Sequence, residues 1–128
     1  MARKAVHSDN APKAIGPYSQ AIQVDAGKMT FLSGQIPLDP KTMEMVQGDV
    51  VAQAGQVMQN LKAVLTAAGL DFSHVVRCTI FLTDLGDFAK VNEVYGRHFT
   101  GAPPSRATVQ VAALPRGAKV EIDAIAVS

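Results

Sequence analysis

Between residues 50 and 68 apolar side chains recur three and four positions apart, at Val50, Ala54, Val57, Met58, Leu61, Val64, Leu65 and Ala68. That spacing predicts one buried face of an α-helix. Asp49 is a good N-cap before it, and Gly69 suits the position just past its end. Gly55, in its interior, costs about 1 kcal/mol against alanine unless a neighbour packs closely there. A second, shorter helix follows Asp87, with Phe88, Val91, Val94, Tyr95 and Phe99 as its apolar stripe, and stops before Gly101 and the Pro103-Pro104 breaker.

The rest of the pattern has the period of strands. Arg3 to His7 reads as a short edge strand that breaks at the turn formers Ser8 to Pro12. Residues 21–25 and 29–33, joined through Ala26-Gly27-Lys28, predict a hairpin. Gly34 to Gly48 reads as a loop. Val75 to Thr83 is β-branched or aromatic almost throughout, which suits a central strand covered on both faces. Two last strands, about 105–111 and 119–127, are separated by Leu114-Pro115-Arg116-Gly117.

Three strands, a helix, a strand, a helix and two strands describe an α+β domain with both helices on one face of a mixed sheet. In the last strand Val120, Ile122, Ala124 and Ala126 occupy one side, while Ile125 and Val127 lie on the other. A two-layer domain would leave one of those sets bare, so the pattern predicts that copies of the chain cover it.

Composition narrows the function classes. At 128 residues, with 48% hydrophobic and 18% charged side chains, the chain reads as a single globular domain over 1–128. Twelve basic against eleven acidic residues leave a net charge of +1, too little to gather nucleic acid or an anionic membrane. No apolar run approaches the ~20 residues needed to cross a bilayer, so the expectation is a cytoplasmic protein with no membrane partner. The single cysteine, Cys78, lies in an apolar run and reads as core, and the three histidines lack metal-ligand spacing, so neither a metal nor a cofactor is expected. Nucleotide, α/β-hydrolase, redox and zinc signatures are missing from the sequence.

Four blocks place polar residues where the surrounding pattern calls for apolar ones or turns: Gly16-Pro17-Tyr18-Ser19-Gln20, Ser33-Gly34-Gln35-Ile36-Pro37, Pro103-Pro104-Ser105-Arg106-Ala107-Thr108, and residues 120–127 around Glu121. In this order and spacing, together with AAGLDFSHVV and FAKVNEVY, they resemble the RidA/YjgF family of enamine/imine deaminases over nearly the whole chain. The resemblance implies a chorismate-mutase-like fold with a six-stranded mixed sheet. It also implies a homotrimer with the sheets as an inner barrel, and a substrate site between neighbouring subunits. The activity implied is that of a 2-iminobutanoate/2-iminopropanoate deaminase, which takes the enamines and imines released by pyridoxal-phosphate-dependent dehydratases to 2-keto acids and ammonia.

Each residue of the implied site also has a plain structural reading. Strand alternation puts Arg106, Thr108 and Gln110 on one face, which alone says only that the face is polar. The resemblance makes Arg106 the group that binds the substrate carboxylate, and a guanidinium fork suits that task. Glu121 would otherwise be a rim charge; the resemblance makes it the carboxylate that holds or activates water. Tyr18 becomes a substrate contact or proton relay rather than a packed ring with a wet hydroxyl. Ser33 and Gly34 line the cleft rather than serve only a turn, and Asn92 enters it from the neighbouring subunit. Thr108, also a substrate contact, stands where many members carry cysteine, which removes thiolate chemistry at that position. Asp123 reads as structural. The competing functions are a non-catalytic keto-acid-binding protein and, less favoured by the charge, an endoribonuclease or translation inhibitor.

Overall fold

A computed structural model describes residues 3–25 and 27–128. The strands are β1 (Arg3–Val6), β2 (Ala21–Val24), β3 (Met29–Gln35), β4 (Val75–Leu82), β5 (Ser105–Gln110) and β6 (Val120–Val127); the helices are α1 (Val50–Ala67) and α2 (Phe88–Gly96).

The local signals for α1 act as predicted. The Asp49 side chain accepts from the Ala52 N–H at the helix start. At its end Gly69, with φ +75°, donates to Thr66 O while Leu70 N–H reaches back to Leu65 O, a Schellman ending that a side chain at Gly69 would strain. Two positions of the predicted stripe, Val64 and Ala68, are instead exposed, and Gln53 is buried, its Oε1 accepting from the Lys119 N–H. The stripe had drifted round the helix: the face against the sheet is Val50, Ala54, Val57, Met58, Leu61 and Leu65.

α2 departs at both ends. Asp87 occupies the cap position without a side-chain hydrogen bond; Asp84 does the local capping, accepting from Gly86 N–H in a short 3-10 turn. The helix ends at Gly96, so Phe99 packs on Tyr95 from outside it, 4.8 Å between ring centres.

The strands do not form the single six-stranded sheet expected. Four make one mixed sheet in the order β3-β6-β4-β5, with β4 and β5 parallel and the other pairs antiparallel, and β1 and β2 form a separate antiparallel ribbon. The predicted 21–33 hairpin is therefore overturned: β2 pairs with β1, and β3 with β6. Gly27 explains the misreading. A side chain there would run into the Ser128 carbonyl, and Lys28 and Ser128 exchange backbone hydrogen bonds, so this glycine admits the chain end beside β3. Ala26 of that predicted turn lies outside the described residues.

One face of the four-stranded sheet carries the core. Val120, Ile122 and Ala126 are fully buried beneath the helices with Ile80, Leu82 and Cys78 of β4. The opposite face is open in the single chain: Phe31 is 69% exposed, Met29 55% and Val109 40%. β4 is central, as predicted, yet covered on one face only. β3 carries a bulge, because Leu32 pairs with Ala124 while Gln35 pairs with Ile122, so three steps on β3 span two on β6. Ser33 and Gly34 sit in that bulge rather than at a strand end.

Candidate functional site

Two of the polar blocks meet at the start of β5. Ser19 N–H donates to Pro104 O at 3.1 Å and the Ser19 hydroxyl to Pro103 O, which clamps Gly16–Gln20 against the Pro-Pro-Ser-Arg segment. Gln20 ties down the preceding loop, accepting from Ser8 N–H and donating to Ser8 O and Pro12 O. Gly16, at φ +124°, turns the chain so closely over Arg106 and Asn92 that a side chain there would touch both. Tyr18 follows, its hydroxyl accepting from the Ile15 N–H.

These contacts build an open pocket of about 280 Å³ lined by Ile15, Tyr18, Phe88, Arg106 and Thr108. Arg106 is half-buried, and burial lowers its pKa from the ordinary value, though a guanidinium stays charged at any physiological pH. Its Nη1 donates to Asn92 Oδ1 at 2.8 Å. None of the ion pairs among the described residues involves Arg106. A desolvated cation without an acidic partner attracts an anion from solution strongly, because the low local dielectric leaves its field poorly screened. Thr108 also lines this pocket, yet its Oγ1 is buried without a hydrogen-bond partner, an arrangement that costs about 1–3 kcal/mol.

Asn92 belongs to the same chain as Arg106, so its expected origin in a neighbouring subunit is corrected: α2 packs over the β5 end of the sheet and carries Asn92 onto the guanidinium. Arg106 also lies on the helix-covered face, since its register partner Cys78, and Ala124 beyond it on β6, are core residues.

The other two blocks meet elsewhere. Gly34 lies directly against Glu121: an added side chain would overlap the Glu121 carboxylate, so the β3 bulge and the first residues of β6 are fitted to one another. Glu121 pairs across the sheet with Phe81, and Phe81 with Val109, all on the open face. Cross-strand partners share a face, so Glu121 and Arg106 point to opposite sides of the sheet. They are also separated by three positions along β4, or about 10 Å. Within one chain, then, Tyr18, Asn92, Arg106 and Thr108 form one group and Ser33, Gly34 and Glu121 another. Asp123 accepts from the Thr79 N–H of its paired strand, the structural role read from sequence.

Sequence reasoning missed Asn60. From α1 its Nδ2 donates to both Ile36 O and Leu38 O while Gln56 donates to its Oδ1, which pins the strand-to-loop segment just after Ser33-Gly34. A polar residue bordering an apolar helical stripe was the available signal. It missed Phe88 and Tyr95 as well, reading both simply as helix core. Among the described residues no group of three or more His, Cys, Asp or Glu is placed to hold a metal, and no helix is long and apolar enough to cross a membrane.

Fold and pocket together define an α+β domain with a half-buried arginine at an open pocket, unpaired with any acidic side chain among the described residues. Residues 8–128 match the family described as Endoribonuclease L-PSP, and the chain belongs to this RidA/YjgF family. It is 89% identical over 128 residues to Protein DfrA of Myxococcus xanthus, covering all of this chain and 98% of that one. It is 53% identical over 125 residues to the 2-iminobutanoate/2-iminopropanoate deaminase of Mus musculus, covering 98% and 91% of the two chains. The structure of E. coli TdcF with bound serine superposes with a TM-score of 0.74 at 48% identity, covering 98% of each chain.

Proposed function

We propose that the chain hydrolyses short 2-imino acids to 2-keto acids and ammonia, at sites that two copies complete between them in a chorismate-mutase-like homotrimer. The observation that carries this is Arg106: half-buried, held by Asn92 and without an acidic partner, it suits a carboxylate. The name of the mouse relative supplies the substrate class, and serine bound to TdcF is an amino acid with the same carboxylate.

Because Glu121 faces away from Arg106 in its own chain, the water-activating half comes from a neighbour. The exposed apolar residues of the open face, Phe31, Met29 and Val109, support burial of that face against copies. With the carboxylate on Arg106, a water held by Glu121 of the partner copy adds to the C=N carbon. Glu121 takes a proton from that water and passes it to the nitrogen, giving a carbinolamine; the carbinol O–H then loses its proton through the same carboxylate to the nitrogen, the C–N bond breaks to release ammonia, and the C=O of the keto acid forms. Tyr18 lines the same pocket and its hydroxyl serves the departing nitrogen. Positioning and electrostatics supply the rate acceleration, since an imine carbon is already electrophilic.

The test is a coupled assay in which a threonine or serine dehydratase generates the imine and keto-acid formation is followed with and without the protein. Acceleration should disappear in Arg106→Ala along with 2-oxobutanoate binding. In Glu121→Gln hydrolysis should be lost with binding retained. Absence of acceleration by the native chain overturns the reading, and salt-dependent RNA cleavage in its place would favour the ribonuclease description.

A further inference from the structure

Arg106 is half-buried on the helix-covered face of the sheet. Asn92 Oδ1 is its one side-chain hydrogen-bond partner among the described residues, and an acid is missing. Instead three aromatic rings surround the guanidinium carbon: Tyr95 at 5.2 Å, Tyr18 at 5.4 Å and Phe88 at 5.6 Å from the ring centres. All three lie within the ~6 Å over which a ring face attracts a cation. They come from separate places, the loop before β2 and the two ends of α2, and Tyr95 is fully buried.

We propose that Phe88 and Tyr95, with Tyr18, form an aromatic box that positions Arg106 for carboxylate binding. The proposal rests on the reading of Arg106 as the carboxylate grip. A carboxylate side chain could restrain the guanidinium as firmly, but it would occupy the N–H donors and cancel the charge that the substrate needs. Ring faces restrain the cation through their electrostatic quadrupole and leave its in-plane donors free. The pocket thus combines a fixed arginine with an available one. Tyr95 works through its ring: its hydroxyl is buried beside the Cys78 thiol and makes no hydrogen bond of ordinary geometry. Phe88 and Tyr95 are positioning residues, since they act on the substrate through Arg106.

The test compares Tyr95→Leu, Phe88→Leu and Tyr95→Phe in the full-length protein. Binding of 2-oxobutanoate is measured by calorimetric titration, KM and kcat by the coupled assay, and the Arg106 Nε–H resonance by NMR, where ring currents shift it. Each leucine variant should raise Kd and KM roughly five- to thirtyfold, the range between an exposed and a desolvated cation–π contact, with kcat within about threefold of native. Each should also move the Arg106 resonance, and Tyr95→Phe should restore all three. Phe88 is only partly buried, so its variant tests the box even if Tyr95→Leu does not fold. Leucine variants that lose thermal stability but keep native Kd and KM would reduce both rings to packing and overturn the proposal. So would a Tyr95→Phe variant as impaired as Tyr95→Leu. A native chain that binds 2-oxobutanoate without hydrolysing imines leaves the box standing and removes the deaminase reading; one that does not bind it overturns both.

Discussion

Asn92→Asp should weaken carboxylate binding more than Asn92→Ala does. The two side chains are isosteric, and aspartate keeps an acceptor at the position from which Asn92 Oδ1 now takes the Arg106 Nη1 proton at 2.8 Å. It would hold Arg106 at least as well, because an anionic acceptor then meets the cationic donor in place of a neutral one. What changes is the field. A substrate carboxylate on the free edge of the guanidinium would lie about 6 Å from the new carboxylate. At an effective dielectric constant of about 20, which already allows for solvent near a protein surface, the repulsion is about 3 kcal/mol, or roughly a hundredfold in Kd. Alanine removes only a net hydrogen bond, worth about 1 kcal/mol. Calorimetric titration with 2-oxobutanoate measures both, and circular dichroism confirms that both variants fold. An aspartate variant that binds as tightly as the native chain, or more tightly than the alanine variant, would refute the argument that Arg106 is useful because nothing neutralises it.

Gly34→Ala should leave 2-oxobutanoate binding intact while lowering kcat about a hundredfold, the usual consequence of displacing a reacting group by about 1 Å, because the new methyl overlaps the Glu121 carboxylate rather than backbone; unchanged kcat would remove Glu121 from the mechanism. Cys78, 2% exposed, has its thiol pushed up to about 11 by burial. At pH 8 about one such thiol in a thousand is ionised, so a thiol reagent should label the chain only after unfolding, and rapid labelling of native protein would contradict this placement. Gly55→Ala should stabilise the fold by about 0.5–1 kcal/mol and raise Tm by roughly 3 °C in a thermal melt, since nothing lies within 4 Å of the added methyl. A lower Tm would show that this helix face meets a close neighbour in the assembly.

The elements were legible where local chemistry decides them. Asp49 and Gly69 bracket α1 because a cap and a left-handed ending are properties of a few adjacent residues. Partner choice was not legible in the same way. Gly27 reads as a hairpin glycine in the sequence, and only the arrival of Ser128, a hundred positions away, shows why it is there. The bulge at Ser33-Gly34 depends likewise on register with β6, which alternation along β3 cannot reveal. For the site, the four polar blocks named the candidate residues but not their grouping. Parity within one strand says which residues share a face, and only the pairing of β5 with β4 and of β4 with β6 shows that Arg106 and Glu121 face apart. The rings of Phe88 and Tyr95 fit an ordinary helical stripe so well that their second use could not be seen in it.

The sheet that separates Arg106 from Glu121 has a genetic consequence. On the proposed assembly, damage to the grip and damage to the water-holding carboxylate would be complementing lesions rather than equivalent ones. Chains dead for different reasons could share a trimer in which one contributes a sound Arg106 side and its neighbour a sound Glu121 side. Inheritance of activity would then follow the ring and not the polypeptide, and selection on either half would act through whichever copy stands beside it.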